Sequence, residues 1–268
     1  MASPRRIPSE PAALALSWRV LRDADLPGSR NMALDHALAS CLTDGHAVVR
    51  LYAWRRPTVS FGRNEPARGL YSVCEAARLG IDYVRRPTGG RVVLHDRELT
   101  YTVVAPVRAL GGVRVGYRRI NRALASALHS MGAEVAISTD GRVEALDAGP
   151  CFQSPAAGEV IAGGRKLVGS AQARIDGALL QHGSIMLVGD QSRLATLSEG
   201  SVDYEAPATM TDLVGPVNED ALVAAVLMKM ESAFGGRWAP GEYDEKEVKK
   251  ADRLESERYA RDAWTWRR

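Results

Sequence analysis

Cys151 and Lys166 are the residues of this 268-residue chain best suited to do chemistry together, and they flank one glycine-rich stretch. The segment from Asp147 to Leu187 reads D-A-G-P-C-F-Q-S-P, then a Gly163-Gly164 turn, then R-K-L-V-G-S-A-Q-A-R-I and A-L-L-Q-H-G-S-I-M-L, two runs that read as strands. If the turn folds the chain back on itself, the Lys166 ammonium can face the Cys151 thiol. A free cysteine titrates near ~8.5, and a neighbouring cation lowers that value, enlarging the share of thiolate, the form that attacks carbonyl carbon. The chemistry this predicts is acyl transfer through a thioester. Each residue also has a plainer reading. Free cysteine is among the most buried residue types, and a lysine that starts a strand is commonly a solvated edge residue. His182 offers another base for the thiol, but no C-G-S/A-C-W/Y surrounds Cys151, so a papain-like arrangement does not fit.

A second stretch could hold a ligand. In R-R-P-T-G-G-R-V-V-L-H-D two strands flank Thr88-Gly89-Gly90. A glycine pair lets backbone N–H groups approach a carboxylate, a carbonyl or a phosphate, although the same pair serves equally as a hairpin turn. It is not a Walker loop, because no G-K-S/T follows, nor a dinucleotide fingerprint. His95 and Asp96 end the strand after that turn, where they could orient a ligand or each other.

Periodicity predicts the elements that position these groups. Leu34, Ala37, Leu38, Cys41 and Leu42 recur at helical spacing, which leaves Asp35 and His36 off the apolar face and predicts a solvated surface for them. V-V-R-L-Y-A-W and T-V-S-F-G flank Arg55-Arg56-Pro57 and predict an antiparallel hairpin. Residues 71–79 read as a helix ending at Gly80, with Val73, Cys74, Ala76 and Ala77 inward. Ile120, Ala123, Leu124, Ala127, Leu128 and Met131 mark another helix, with His129 outside its stripe and a short V-A-I strand following. Later come a short helical piece over 191–197, a helix over 218–234 capped by Asn218, and a charged, solvated helix whose tail is clamped by Trp264 and Trp266. Residues 1–17 read as a loose lead-in, and 18–268 as one catalytic unit with a helical tail.

Composition narrows the class. A hydrophobic content of 46% supports a sizeable core, and three cysteines (Cys41, Cys74, Cys151) without a CxxC pattern argue against both a disulfide framework and a zinc site. That favours a reducing compartment, the cytoplasm. The N-terminal residues do not read as a signal peptide, and no apolar run approaches membrane-spanning length. A net charge of +3 from 35 basic and 32 acidic residues gives little support to nucleic-acid binding, while leaving room for a mildly basic face toward an acidic protein.

Taken together, R-L-Y-A-W-R-R-P-T-V-S-F-G-R, R-R-P-T-G-G-R-V-V-L-H-D-R-E-L-T-Y-T-V, C-F-Q-S-P, G-R-K-L-V-G-S-A-Q-A-R and L-L-Q-H-G-S-I-M-L resemble the biotin/lipoate protein ligase and octanoyltransferase superfamily. The likeness is strongest to the branch that moves an octanoyl group from acyl carrier protein to the glycine-cleavage H protein. It implies an α+β fold, a mostly antiparallel mixed sheet flanked by helices, with no bound metal and no cofactor. Cys151 then stands where that branch carries its acyl-thioester cysteine, and Lys166 matches the lysine of its second motif. Arg86, Gly89 and Gly90 match a ligand-holding hairpin, while Gly169, Ser170, Ala171, His182 and Gly183 match pocket-lining strands; His95, at the end of the strand after that turn, is a further substrate-binding candidate. An aromatic that the branch places near Ala157 or Gly158 is missing here. The implied partners are octanoyl acyl carrier protein as donor and a lipoyl-domain protein, the H protein or a 2-oxoacid dehydrogenase E2, as acceptor, with the enzyme a monomer. Two alternatives stay open: an ATP- and magnesium-dependent lipoate ligase working through an acyl-adenylate, and a non-catalytic lipoyl-domain-binding module. Ligases often carry a C-terminal accessory domain, whereas the tail after residue 235 reads as short helix.

Overall fold

A computed structural model describes residues 16–139, 157–199 and 206–268. Its large sheet has eight strands in the order β11-β1-β2-β6-β10-β9-β8-β7, formed by β1 (Ser17–Arg22), β2 (His46–Tyr52), β6 (Glu98–Pro106), β7 (Ala136–Ile137), β8 (Val160–Ala162), β9 (Arg165–Ile175), β10 (Ala178–Met186) and β11 (Arg237–Pro240). Pairing is parallel where β1 meets β2 and β11, and antiparallel elsewhere. A second sheet, ordered β4-β3-β5, contains β3 (Thr58–Phe61), β4 (Asp82–Arg85) and β5 (Val93–His95). This is the expected α+β architecture, a mostly antiparallel mixed sheet flanked by helices.

Alternation decides which helices each face receives. Leu99, Tyr101, Val103 and Ala105 of β6 join Val49 and Leu51 of β2 in a core shared with α3 (Val113–Ser130) and α6 (Glu219–Phe234). From α3 this core takes Ile120, Ala123, Leu124, Ala127 and Leu128, as the helical spacing predicts, and His129 is exposed. The Asn218 side chain caps α6 by accepting from Ala221 N–H. On the other face Val48, Val104 and Leu180 pack with Leu38 of α1 (Gly28–Cys41).

Four local expectations differ from the structure. β2 and β3 do not form a hairpin: both edges of β2 are taken by β1 and β6, so β3 pairs with β4 and β5 instead. The Thr88-Gly89-Gly90 segment is likewise no hairpin turn, because β4 and β5 lie on opposite edges of β3 and the chain must cross between them. There Gly62 is obligatory, since an added Cβ would lie 1.8 Å from the Gly90 carbonyl oxygen. In α2 (Val73–Leu79) only Ala76 is buried, and Val73, Cys74 and Ala77 face outward, so Cys74 is not a core thiol. Leu16 and Ser17 belong to the sheet region rather than to a lead-in, Leu16 being buried and Ser17 opening β1; residues 1–15 lie outside the described chain.

A fifth difference matters most. α1 is wedged between the sheet and α7 (Glu245–Leu254), which buries ten of its 14 residues, Asp35 among them. Asp35 is therefore an interior carboxylate, not a solvated one. Beyond α7 a π turn (Glu255–Tyr259) and α8 (Asp262–Thr265) carry the tail back over the small sheet, where Trp264 Nε1 donates to Arg85 O at 2.8 Å and the Trp266 ring packs on Phe61 and Tyr83. The expected clamp is present, although Glu247 of the charged helix is buried against Arg19. Short helices α4 (Arg193–Leu197) and α5 (Met210–Val214) complete the described chain, in which no helix is long and apolar enough to cross a membrane.

His36, half-buried on α1, sits 2.8 Å from the Tyr259 hydroxyl, and burial together with Arg258 and Lys250 lowers its pKa from 6.5 to about 4. A depressed folded-state pKa means that acidification protonates the unfolded chain first. Stability is then full above pH 6.5 and falls as the pH is lowered toward about 4. Denaturant titrations across that window should show a shallower decline for His36→Gln than for the wild type.

Candidate active site

A narrow, partly enclosed cavity lies between the two sheets. β9 and β10 supply one wall through the cross-strand pairs Ala171–His182, Ser170–Gly183 and Gly169–Ser184. Met32 of α1, Tyr52 of β2, Trp54 after it, Ser60 of β3, Val93 of β5 and Thr100 of β6 add to the lining. Most of what faces the cavity is carbon, as an acyl chain requires. Gly183 admits no side chain, because a Cβ there would sit 2.1 Å from Gly169 O and 2.9 Å from the Tyr101 ring.

Of the residues singled out from sequence, Arg86, Gly90, His95, Gly169, Ser170, Ala171, His182 and Gly183 all line this cavity. Gly89 does not line it; its carbonyl accepts from Arg86 Nη2 at 2.9 Å at the exposed rim. Asp96 points away to an ion pair with Arg193 at 3.2 Å, so it orients neither a ligand nor His95. Arg86 also donates to Ser60 O at 2.8 Å and Arg91 O at 2.7 Å, bracing the crossing loop from within.

Two hydrogen-bonded histidines back the pocket. His182 Nδ1 lies 2.9 Å from Asp35 Oδ2 and its Nε2 lies 2.7 Å from Thr88 Oγ1. Burial drives the Asp35 pKa upward, but the Arg50 guanidinium and His182 outweigh it, and the group ends below its ordinary value. Burial lowers the His182 pKa despite Asp35, so the ring is neutral near pH 7. A carboxylate can only accept, which fixes Nδ1 as the donor and leaves Nε2 to accept from the Thr88 hydroxyl. The interior thus holds the Thr88-Gly89-Gly90 loop by one defined tautomer. Arg50, fully buried, anchors the other end: it donates to Asp35 Oδ1 at 2.8 Å, to Asn31 Oδ1 at 2.7 Å and to Asp23 Oδ2 at 2.6 Å, with its guanidinium 3.8 Å from the Tyr52 ring centre. Its charge is retained against burial by Asp35, Tyr243, Tyr52 and Asp23.

His95 is held the same way, with Nδ1 2.8 Å from Glu98 Oε1 and Nε2 2.7 Å from Ser60 Oγ. The Trp54 indole stacks on it at 4.0 Å and donates to Thr100 Oγ1 at 2.8 Å. Trp54, Glu98 and Ser184 carry no sequence signal of their own. Only the register of β6 and β10, which sets Ser184 opposite Thr100, brings them to the site.

Lys166 is not a solvated edge residue. β9 runs between β8 and β10, so the side chain is 2% exposed, and Nζ donates to Glu159 Oε1 at 2.7 Å. Glu159 stands seven residues upstream, a separation that carries no pairing signal until β8 folds back on β9. Lys166 precedes the pocket-lining Gly169 by three residues on β9, about 10 Å along a strand. Cys151 lies outside the described residues. Just after that stretch, Asn121 Nδ2 donates to Gly158 O at 2.7 Å while its Oδ1 accepts from Ser170 Oγ and Gln181 Nε2, both at 3.1 Å. A Cβ on Gly158 would lie 3.3 Å from the Tyr117 ring, so the aromatic beside this position comes from α3 and not from the 157–158 segment itself. Cys41 is buried, which raises its thiol pKa, and Cys74 is exposed on α2, far from this arrangement in sequence and sheet.

The two ends of the Asp35–His182–Thr88 chain should respond differently to substitution. Asp35→Ala strands Arg50 in the interior and should cost about 3–5 kcal/mol of stability in denaturant unfolding. Thr88→Val keeps the shape but leaves His182 Nε2 without its donor, so stability should fall by only about 1–3 kcal/mol while kcat/KM falls about five- to thirtyfold.

The family description "Lipoyl protein ligase A/B catalytic domain" matches residues 27–235. An Octanoyltransferase LipM from Symbiobacterium thermophilum is 36% identical, with 94% of this chain and 99% of that protein covered. One from Kyrpidia tusciae is 34% identical over the same shares. Among solved structures, lipoate-protein ligase A bound with ATP superimposes with a TM-score of 0.80 at 23% identity, covering 94% of this chain and 99% of the other, a likeness of fold. With the family description spanning most of its length and these relatives aligned nearly end to end, the chain belongs to the lipoyl protein ligase A/B catalytic domain family.

Proposed function

We propose that this protein is an octanoyltransferase of protein lipoylation. It takes an octanoyl group from acyl carrier protein and passes it, by way of a Cys151 thioester, to a lysine of a lipoyl-domain protein such as the glycine-cleavage H protein or a 2-oxoacid dehydrogenase E2. The observation that carries the reading is the 36% identity over 94% of this chain and 99% of a relative named an octanoyltransferase. The carbon-lined cavity between the sheets supports it, as does a buried ammonium at the start of the strand that forms its wall.

In the first half-reaction the Cys151 thiolate attacks the carbonyl carbon of the octanoyl thioester. The bond to the donor sulfur breaks, and the donor leaves as a thiolate that takes up a proton. Lys166 supplies the positive charge that favours thiolate over thiol, and backbone N–H groups of the Gly89-Gly90 loop steady the transient oxyanion. In the second half-reaction the neutral amine of the acceptor lysine attacks the acyl-cysteine, an amide forms, the amine loses a proton, and the Cys151 thiolate returns. Nothing is oxidised or reduced. Both steps exchange acyl bonds of comparable energy or run downhill to an amide, so the reaction needs neither ATP nor a metal, and it takes place in the cytoplasm. The cavity grips the chain by burying its methylenes, at about 0.8 kcal/mol each.

Incubation with octanoyl carrier protein in the absence of ATP should add an octanoyl mass to Cys151 that hydroxylamine removes. Cys151→Ala should abolish transfer, while Cys41→Ala and Cys74→Ala should leave it intact. Equal activity in all three variants would end the thioester mechanism, and strict dependence on ATP would establish the ligase reading instead.

A further inference from the structure

A second, larger cleft runs beside the small sheet, and nothing in acyl chemistry explains it. Its volume of about 1,130 Å³ lies just above the top of the roughly 300–1,000 Å³ range of small-molecule sites, roomy enough to receive a protein segment. The floor is aromatic, built from Tyr71, Tyr83 and Trp266, and the rim is cationic, built from Arg56, Arg68 and Arg267. Val73 stands in its wall with 59% of its surface exposed. Arg63 extends the rim: Arg267 donates to its carbonyl oxygen, and its own N–H donates to Thr88 O at 2.7 Å. Through that bond the rim continues into the Thr88-Gly89-Gly90 loop, where Gly90 both lines the acyl cavity and reaches solvent.

The arginines are poorly compensated. Among the described residues none of Arg56, Arg63, Arg68 and Arg267 makes an ion pair, although Asp82 and Asp262 also line the cleft. Arg258 and Arg267 stack on the Trp264 ring at 4.8 and 4.1 Å, drawing further positive charge to the same edge. Mutual repulsion registers in the titration of this edge: burial first, then Arg267, Arg86 and Arg268, bring Arg85 down to about 10. Like charges gathered at exposed positions hold an unfavourable field that an acidic surface relieves.

We propose that this arginine-rimmed aromatic cleft is the docking face for the acyl donor, an acidic carrier protein that presents its thioester to the mouth at Gly90. The inference rests on the octanoyltransferase reading and adds the partner's surface to it. The donor fits better than the acceptor because the donor's reacting group is a neutral thioester. An acceptor brings a lysine ammonium, which Arg63 and Arg267 would repel on approach.

The test uses the full-length protein with Arg56→Glu, Arg63→Glu and Arg68→Glu combined, and separately Val73→Asp, an exposed helical position at which folding is not at risk. The first half-reaction is followed by intact mass from octanoyl carrier protein and, in parallel, from octanoyl-N-acetylcysteamine, a neutral thioester that carries no protein. KM for the carrier protein should rise about tenfold or more in the triple variant, and in the same direction in Val73→Asp, with kcat and the rate from the small thioester unchanged. Wild-type KM for the carrier protein should also rise with salt, and that of the triple variant much less so. An unaltered KM for the carrier protein overturns the proposal, as does a rise confined to the KM of the acceptor in the second half-reaction. Failure of the wild type to accept octanoyl from either thioester would instead remove the transferase reading and the docking face with it.

Discussion

One carboxylate, that of Asp35, joins the scaffold of this protein to its acyl pocket. It lies fully inside, accepts from Arg50 on one oxygen and from Tyr52 and His182 on the other, and so satisfies three buried partners. An isolated carboxylate or guanidinium would be expelled from such an interior; the pair persists because each group is hydrogen-bonded on several sides. The consequence reaches the pocket through His182, whose tautomer is dictated by Asp35 and whose other nitrogen holds Thr88. A helix that closes the back of the sheet thereby positions a loop on the far side of the cavity.

The same economy appears on the opposite face of the sheet. Gln181 and Tyr101 alternate with His182 and Thr100 along β10 and β6, and they meet Asn121 and Ser170 in a buried polar cluster under α3. Asn121 then holds the Gly158 carbonyl, and Glu159 beside it receives the Lys166 ammonium. Adjacent residues of two strands therefore serve two jobs: one set shapes the cavity, and the other fixes the segment that presents the proposed catalytic lysine. Period-two geometry makes this possible without lengthening the chain.

Glycine has a different task at each of the two places where backbones meet. Gly62 lets the β3 end approach the Gly90 carbonyl, and Gly183 lets β10 sit flat against Gly169 and the Tyr101 ring. Both approaches narrow the cavity between the sheets, leaving a slot whose surface is mostly carbon.

Sequence alone determined a good deal. The helical spacing of α3, the cap of α6, the tryptophan clamp of the tail and the strand pair β9–β10 follow from patterns within a few residues, and local patterns survive folding when the element has one buried face. Motif resemblance named seven cavity-lining residues, and the place of His95 at a strand end beside the glycine pair named an eighth, because backbone approach and special side chains leave a local signature. Other features only tertiary structure decided. One-sided helical spacing predicts a solvated Asp35, yet α1 is covered on two sides, and a helix covered on two sides has no polar face to show. The β2–β3 hairpin failed because strand partners depend on which edges are free, a property of the whole sheet. Trp54, Glu98 and Ser184 are brought together from segments distant in sequence, a juxtaposition that leaves no trace in any short window of the chain, while Glu159, only seven residues before Lys166, meets it because β8 folds back antiparallel on β9.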